Sequence, residues 1–285
     1  MTDLAAARRF FAEEVQMIAT IRSTAVVEAF ATLPRERFLP AGPWTVLGEG
    51  DFAAPARTTP DDNPRHVYHN VAIAIDPQRM LFNGAPTVVA AAIDALELKA
   101  GDRVLHVGAG MGYYTAIMAH CVGETGRVVA IEVDEFLAGR AADNLASMRW
   151  IEVRHGDATA PLDETFDAIL INAGVTHARD TWLDALSPPG RLAMPLTAAL
   201  GPTNIGKGPM LLLTRTADAD VFDVRRLGFV AIFSGVGIRD ATLDEEIKKA
   251  LARQPFAPLK VLRRGAHPRS DGCWLHGDNF CFASR

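Results

Sequence analysis

Hydrophobic residues recur at helical spacing near the start of the chain and lose this period afterwards. The positions that share one helical face are Leu4, Ala7, Phe11, Val15 and Ile18. This spacing predicts helical structure over residues 3–31. Residues 41–64 are rich in Gly, Pro, Asp and Thr without a sustained period, which predicts a long loop before a strand at 67–75.

From residue 86 onward, apolar strand patterns and helix patterns alternate. We predict strands at 103–107, 127–133, 151–155, 166–171 and 191–196. We predict helices at 86–96, 113–121, 134–147, 178–186 and 244–252. This alternation indicates an α/β fold with a Rossmann-like, doubly wound, mostly parallel sheet. Residues 210–214 and 221–233 have no helix between them and are predicted to close the sheet in antiparallel fashion. A hairpin is expected over 273–283.

The pattern divides the chain into three segments. Residues 1–85 form an N-terminal helical segment and substrate loop, residues 86–240 form the core, and residues 241–285 form a C-terminal extension. The formal net charge of -5 gives no general attraction to nucleic acid or anionic membranes. No stretch approaches the ~20 apolar residues of a membrane span, so we expect a cytoplasmic protein. The oligomeric state stays open.

The cysteine pattern gives no standard metal motif. Cys121, Cys273 and Cys281 are odd in number and widely spaced, which is not a disulfide framework. Cys273 and Cys281 bracket His276, with His267 nearby, but no CxxC pair is present and the spacing fits no standard zinc pattern. We therefore expect buried or strand cysteines and no metal.

A glycine turn between the first predicted core strand and its helix is the first candidate cofactor feature. Gly108, Gly110 and Gly112 precede Tyr113 in a G-x-G-x-G pattern. A dinucleotide fold favours G-x-G-x-x-G to hold a pyrophosphate, whereas S-adenosylmethionine has no phosphate. Gly112 is predicted to tolerate no side chain because the cofactor must lie against its backbone.

Polar residues after the following strands extend this candidate site. Glu132, followed by Val133, ends the next strand, and a carboxylate there can accept both ribose hydroxyls. Asp157 follows the third strand, where it can accept a hydrogen bond from an adenine amino group while the Ala158 N–H faces a ring nitrogen. Asn172, directly after the 166–171 strand, completes the predicted contacts.

Several segments resemble the protein-L-isoaspartate O-methyltransferase family. They are Val27–Phe30, Leu33–Pro40, Arg103–Tyr113, Gly156–Asp157, Phe166–Ile169, Gly190–Pro195 and Arg226–Gly237. The resemblance implies a seven-stranded class I methyltransferase that uses S-adenosylmethionine, releases S-adenosyl-L-homocysteine and methylates a carboxylate on a protein or peptide.

Two positions depart from the family pattern. An acidic residue is usual where His106 stands, at a predicted contact to the methionine part of the cofactor. A Thr-Ile-Ser-x-Pro motif is usual in the substrate loop, where this chain reads Phe82–Pro86. Gly84 thus replaces the expected hydroxyl, and Asn83 is the candidate substitute donor. We take Asn83 and Gly84 as the candidate catalytic positions.

Three functions stay open at this point. The first is a protein or peptide carboxyl methyltransferase, the second a small-molecule methyltransferase on the same scaffold, and the third a cofactor-binding protein without turnover. A carboxylate acceptor is ionised at neutral pH and needs no general base. An amine or phenol acceptor would need one, for which His69 or His106 are the first candidates.

Overall fold

The computed structural model describes residues 3–48, 56–79, 81–199, 201 and 204–285. Its helices are α1 (Leu4–Ala19), α2 (Thr24–Thr32), α3 (Pro86–Ala95), α4 (Tyr113–Val122), α5 (Glu135–Leu145), α6 (Asp180–Asp184) and α7 (Ala241–Arg253). Short 3₁₀ turns cover Arg35–Phe38 and Pro64–Val67. Within the described ranges, no helix has the length and hydropathy needed to cross a bilayer.

The strands are named in chain order. They are β1 (Thr45–Gly48), β2 (Arg57–Thr58), β3 (Val71–Asp76), β4 (Leu81–Phe82), β5 (Arg103–Val107), β6 (Arg127–Glu132), β7 (Ile151–His155), β8 (Phe166–Ile171), β9 (Leu186–Pro195), β10 (Ala198–Ala199), β11 (Ile205–Arg215), β12 (Val221–Phe233), β13 (Val261–Arg264), β14 (Cys273–Gly277) and β15 (Phe280–Ala283). The chain forms two compact units, Met1–Asp102 with Ala109–Gly156, and Arg103–Gly108 with Asp157–Arg285.

The first unit combines α1 to α5 with two sets of strands. Strands β2, β1, β3 and β4 form an antiparallel sheet in that order, while β6 and β7 pair in parallel. The prediction of one helical region over 3–31 is wrong between α1 and α2. Thr20 adopts a left-handed conformation, and the carboxylate of Asp94 accepts the N–H groups of Arg22 and Ser23. This contact ends one helix and fixes the start of the next.

The predicted loop over 41–64 is also wrong in part. Thr45 pairs with Thr58 and Val46 with Arg57, so the two ends of this segment form a short antiparallel ladder. Strand β1 also pairs with β3, whose residues follow the segment in the chain. These strands lack a local signal because both partners are non-local. The middle of the segment, residues 49–55, lies outside the described residues.

The second unit is built on strands that follow the predicted order. Strands β5, β8 and β9 pair in parallel, and β11 and β12 continue the sheet in antiparallel fashion, as predicted. The C-terminal extension then adds β13, β15 and β14. Strand β13 was not predicted, whereas the hairpin of β14 and β15 was. The extension is therefore part of this unit's sheet.

A buried arginine organises the core of the first unit. The Arg35 side chain is fully buried, and its guanidinium donates to the carbonyls of Val67 at 2.7 Å, His69 at 3.1 Å and Val71 at 2.9 Å. The guanidinium carbon lies 5.4 Å from the ring centroid of Phe11 and 5.7 Å from that of Tyr113. Three main-chain acceptors and two aromatic faces thus compensate a charge that burial would otherwise make costly.

We expect Arg35→Met to lower the free energy of unfolding by about 2–4 kcal/mol, because each unsatisfied buried acceptor costs about 1–3 kcal/mol. Equilibrium urea unfolding measures this change. Arg37→Met, on the exposed side of the same 3₁₀ turn, should stay within about 0.5 kcal/mol of the unmodified protein. Equal unfolding midpoints for both variants would show that the Arg35 contacts do not stabilise the fold.

Candidate cofactor and acceptor sites

The glycine turn leads from β5 into α4 with three left-handed residues. The φ angles are +80° at Gly108, +55° at Gly110 and +92° at Gly112. The chain passes from the second unit into the first between Gly108 and Ala109. Because side chains disfavour positive φ, these positions favour glycine whether or not a ligand is bound.

Gly112 is further restricted by packing inside the first unit. A Cβ atom added there would lie 2.8 Å from Cδ1 and 3.2 Å from Cγ of Leu145, which belongs to α5. The prediction that cofactor approach excludes a side chain at Gly112 therefore misses a second reason. Close contact between the turn and α5 already excludes it, so a substitution there alters stability as well as binding.

Glu132, at the end of β6, points its carboxylate back to the glycine turn. Oε2 accepts the Gly110 N–H at 2.7 Å, and Oε1 accepts the Asp134 N–H at 3.1 Å. The side chain is buried, and desolvation raises the pKa of Glu132 even though these N–H groups act to lower it. The two N–H donors thus do not fully offset the desolvation of the carboxylate, and its oxygens retain lone pairs for further donors.

Tyr113 and Val133, the other predicted contacts of the first unit, differ in the exposure of their side chains. The side chain of Tyr113 is buried against Phe30 and Phe38, with ring centroids 6.0 and 5.6 Å away. Only its main chain is therefore left for a ligand. Val133 is exposed, and its carbonyl oxygen lies 3.2 Å from Nε2 of His155.

The remaining predicted contacts belong to the second unit. His106 is fully buried in β5, and burial lowers its pKa to about 3, so the ring is neutral. It therefore cannot supply the negative charge of the acidic residue that the family pattern has at this position. Asp157 is exposed, and its Oδ1 accepts the Thr159 N–H at 2.8 Å in a local turn. The buried Ala158 accepts the indole N–H of Trp182. Asn172 continues β8 and donates its N–H to the Val107 carbonyl.

The acceptor loop, which is the substrate loop Phe82–Pro86 of the sequence analysis, is held by β3 in the first unit. The Asn83 N–H donates to the Ile73 carbonyl at 2.9 Å, and the Ile73 N–H donates to Asn83 Oδ1 at 3.1 Å. Arg35 makes a longer contact of 3.5 Å to the same oxygen. These donors fix Asn83 Oδ1 toward β3, which leaves the Nδ2 donor buried without a hydrogen-bond partner in the part of the chain that the structure describes.

Strand β3 also contacts the glycine turn. A Cβ on Gly110 would lie 3.3 Å from Cδ1 of Ile75, two residues beyond the partner of Asn83. The Tyr114 hydroxyl donates to the Gly84 carbonyl at 3.1 Å, which ties the acceptor loop to α4. Sequence reasoning missed Ile73, Ile75 and Tyr114. The segment that contains Arg35 entered the sequence analysis only through the family resemblance. The contacts of all four residues join positions far apart in the chain, so no local pattern indicates them.

Comparison with known proteins gives a consistent result. The family described as Protein-L-isoaspartate(D-aspartate) O-methyltransferase (PCMT) matches residues 56–206. A Methylorubrum populi protein-L-isoaspartate O-methyltransferase is 35% identical over 244 residues, covering 83% of this chain and 99% of the relative. A Rhodopseudomonas palustris protein-L-isoaspartate O-methyltransferase 1 is 33% identical over 225 residues, covering 75% and 80%. The chain belongs to the protein-L-isoaspartate O-methyltransferase family.

Solved structures support the same fold. A Plasmodium falciparum protein described as a protein-L-isoaspartate O-methyltransferase, in complex with S-adenosyl-L-homocysteine, has a TM-score of 0.58 at 17% identity, covering 80% of this chain and 97% of that chain. A second protein-L-isoaspartate O-methyltransferase has a TM-score of 0.57 at 18% identity, covering 95% and 87%. This family member is a class I methyltransferase with S-adenosylmethionine as its cofactor.

The packing at Gly112 can be tested without ligand. We expect Gly112→Ala to destabilise this methyltransferase by roughly 2–5 kcal/mol, since left-handed strain costs about 1–2 kcal/mol and overpacking adds about 1–3 kcal/mol. In a Leu145→Ala background the same substitution should cost only about 1–2 kcal/mol, because the clash is removed. Urea unfolding of the four proteins gives both values.

Gly139→Ala is the matched control for the Gly112 cycle. Gly139 lies in α5, and a Cβ there meets nothing within 4 Å. Alanine should therefore stabilise the helix by roughly 0.5–1 kcal/mol. If Gly112→Ala cost the same with and without the Leu145 side chain, the packing explanation would be refuted.

Proposed function

We propose that this protein methylates the free carboxylate of isoaspartyl residues in peptides or proteins, and that Asn83 binds that carboxylate. The observation that carries the proposal is the buried Nδ2 donor of Asn83, for which no described residue serves as a hydrogen-bond partner. A donor left unsatisfied in this way costs free energy unless a ligand accepts its hydrogen bond. The curated relatives are named for isoaspartyl methyl transfer, which supports an acceptor of this class.

The position of Asn83 supports the same role. Asn83 and Gly110 contact β3 two residues apart, at Ile73 and Ile75, so the donor and the glycine turn flank one strand. The shared contact with β3 supports a common site for the acceptor and the cofactor. Ionised oxygens accept hydrogen bonds roughly twice as strong as neutral ones do.

Gly84 does not take the place of the missing hydroxyl. Its φ is +82°, a conformation that a serine at this position would adopt only with strain. The Gly84 carbonyl is bound by the Tyr114 hydroxyl, which holds the loop in this conformation. We therefore assign the acceptor contact to Asn83 and a purely conformational role to Gly84.

The reaction needs little acid–base chemistry from the chain. S-adenosylmethionine, when bound, supplies an electrophilic methyl group on a sulfonium and leaves as S-adenosyl-L-homocysteine. A carboxylate, with a reference pKa near ~4, is already ionised at neutral pH, so no side chain has to remove a proton. The residues of the chain position the acceptor oxygen, and proximity of this kind can supply about 7–11 kcal/mol of the barrier.

We propose that Glu132 accepts hydrogen bonds from the ribose hydroxyls of the cofactor. Its carboxylate is buried and under-compensated, and two hydroxyl donors would favour the charged form. Gly110 lies within hydrogen-bond distance of the same carboxylate, which places the turn next to this position. The contacts expected at His106, Asp157, Ala158 and Asn172 remain predictions.

Asn83→Asp tests the acceptor role, because it removes the Nδ2 donor while keeping an oxygen for Ile73 and Arg35. We expect kcat/KM for an isoaspartyl peptide to fall roughly 10- to 150-fold, mainly through KM, since a hydrogen bond to a charged group contributes about 1.5–3 kcal/mol. The affinity for S-adenosylmethionine should not change. Steady-state kinetics and calorimetry measure the two quantities.

Asn279→Asp makes the same chemical change in the exposed turn of the β14–β15 hairpin and should leave the kinetics unaltered. An Asn83→Asp variant with unmodified kinetics on the isoaspartyl peptide would remove Asn83 from the acceptor site. If the unmodified protein binds the cofactor but does not methylate the peptide, the isoaspartyl proposal fails and a small-molecule acceptor replaces it.

Glu132→Gln tests the ribose contact through its pH dependence. The pKa of Glu132 is raised above its ordinary value of 4.5, so the unmodified protein should lose cofactor affinity as the pH falls through this raised pKa. Protonation replaces an acceptor lone pair with a donor that ribose hydroxyls cannot use well. Glu132→Gln should bind more weakly at neutral pH, by about 1.5–3 kcal/mol, and lose this acid dependence.

Calorimetric titrations of S-adenosylmethionine across the acid range supply the measurement. Glu135→Gln, three residues away on the exposed side of α5, is the control and should titrate like the unmodified protein. An acid dependence that persists in Glu132→Gln would assign it to another group.

A further inference from the structure

Four metal-ligating side chains meet in the C-terminal extension. His267, Cys273, His276 and Cys281 each offer one ligand atom, and these atoms all lie within 4.8 Å of one another. The group belongs to the second unit, and no step of methyl transfer described above uses it. The sequence-based expectation treated the cysteines as buried strand residues. Cys273 and Cys281 are indeed buried in strands, but two histidines accompany them.

The hairpin register explains why three of these side chains share a face. His276 pairs directly with Cys281 across the ladder, so both side chains point to the same side. Residues three apart face opposite sides of a regular strand, which would turn Cys273 away. A β-bulge between Cys273 and Leu275 shifts the register, so that Cys273 faces Ala283, two residues from Cys281. The bulge therefore returns Cys273 to the common face.

His267 reaches the group from the loop after β13. Its Nδ1 lies 2.8 Å from the Gly265 carbonyl, and this acceptor places the ring proton on Nδ1. The lone pair is then on Nε2, which is buried and has no hydrogen-bond partner within the described ranges. A histidine that donates one ring N–H to a carbonyl and directs the other nitrogen inward has the usual arrangement of a metal ligand.

His276 presents a second nitrogen of this kind. Its Nδ1 is also buried without a hydrogen-bond partner among the residues that the structure describes. The two imidazole rings lie 5.0 Å apart in an edge-on arrangement. Two buried ring nitrogens without a partner cost free energy, and a metal ion bound by them and the two sulfurs would satisfy both nitrogens. The structure joins Cys273 and Cys281 as a disulfide, which occupies the sulfurs but satisfies neither histidine.

We propose that His267, Cys273, His276 and Cys281 bind one Zn²⁺ ion in a tetrahedral site that fixes the C-terminal hairpin. Bond lengths of about 2.3 Å to sulfur and 2.0–2.1 Å to nitrogen place tetrahedral ligand atoms roughly 3.3–3.8 Å apart, within the span of this group. Two thiolates and two imidazoles favour zinc over harder cations.

The charge balance fits a buried position. Two thiolates cancel the charge of Zn²⁺, and both imidazoles bind as neutral rings, so the occupied site carries no net charge. The ion binds the dithiol form, which a thiol reductant produces from the disulfide by supplying two electrons and two protons while it is itself oxidised to a disulfide. The two thiol protons then leave to solvent when the ion binds. The hairpin pairs with β13, which pairs with β12, so the ion would anchor the extension to its sheet.

The full-length chain, prepared under reducing conditions without a metal-affinity tag, tests the proposal. We expect about one zinc per chain by elemental mass spectrometry. Replacing zinc with Co²⁺ should give the intense visible bands of a tetrahedral site together with a thiolate-to-cobalt charge-transfer band. These spectra report sulfur ligation directly and do not depend on methyltransferase activity.

Cys281→Ser and His276→Gln should each reduce the zinc content at least tenfold and change the cobalt spectrum. Cys121→Ala and His120→Gln, which alter a cysteine and a histidine in α4, should retain both. A reduced, unmodified protein without zinc or cobalt–thiolate absorption, in which Cys273 and Cys281 are found bonded to each other, would overturn the proposal and leave a structural disulfide. Unchanged metal content in both ligand variants would overturn it as well.

Discussion

The burial of the Arg35 guanidinium is the constraint on which the first unit depends. A cation removed from water requires acceptors on several sides, and Arg35 obtains them from the main chain at Val67, His69 and Val71. These carbonyls belong to the segment that leads into β3. Strand β3 in turn fixes the amide of Asn83. One buried charge thus determines the position of the strand and, through it, of the acceptor loop.

The candidate sites share buried polar groups whose compensation is incomplete, although such groups are not confined to them: Nε of Arg35 also lacks a hydrogen-bond partner among the described residues. Glu132 is buried with too few donors for its charge, so its pKa is raised. Asn83 has its oxygen bound, while its Nδ2 donor has no partner among the described residues. His267 and His276 each have one buried ring nitrogen that likewise lacks a described partner, and both rings belong to the group that contains the two sulfurs. Each such group lowers stability unless a ligand completes it, which makes these positions candidates for ligand binding.

Prediction from sequence succeeded where the signal was local. From Pro86 to Pro195, strands and helices alternate with strong periods, and the predicted strands β5, β7 and β8 match the structure residue for residue. Prediction failed where a distant residue decided the outcome. Asp94 separates α1 from α2, and pairing with β3 makes a strand of residues in a predicted loop. No periodic pattern within either segment contains that information.

The sequence by itself determined the order of the cofactor features. A glycine turn after the first core strand and a carboxylate after the next follow from local spacing, and Glu132 does contact Gly110. Only the tertiary structure decided which polar atoms have partners. It placed the Arg35 guanidinium 3.5 Å from Asn83 Oδ1, Leu145 against Gly112, and His267 beside the cysteines of the hairpin. These contacts join residues far apart in the chain, and their geometry is fixed by packing, which local sequence patterns do not specify.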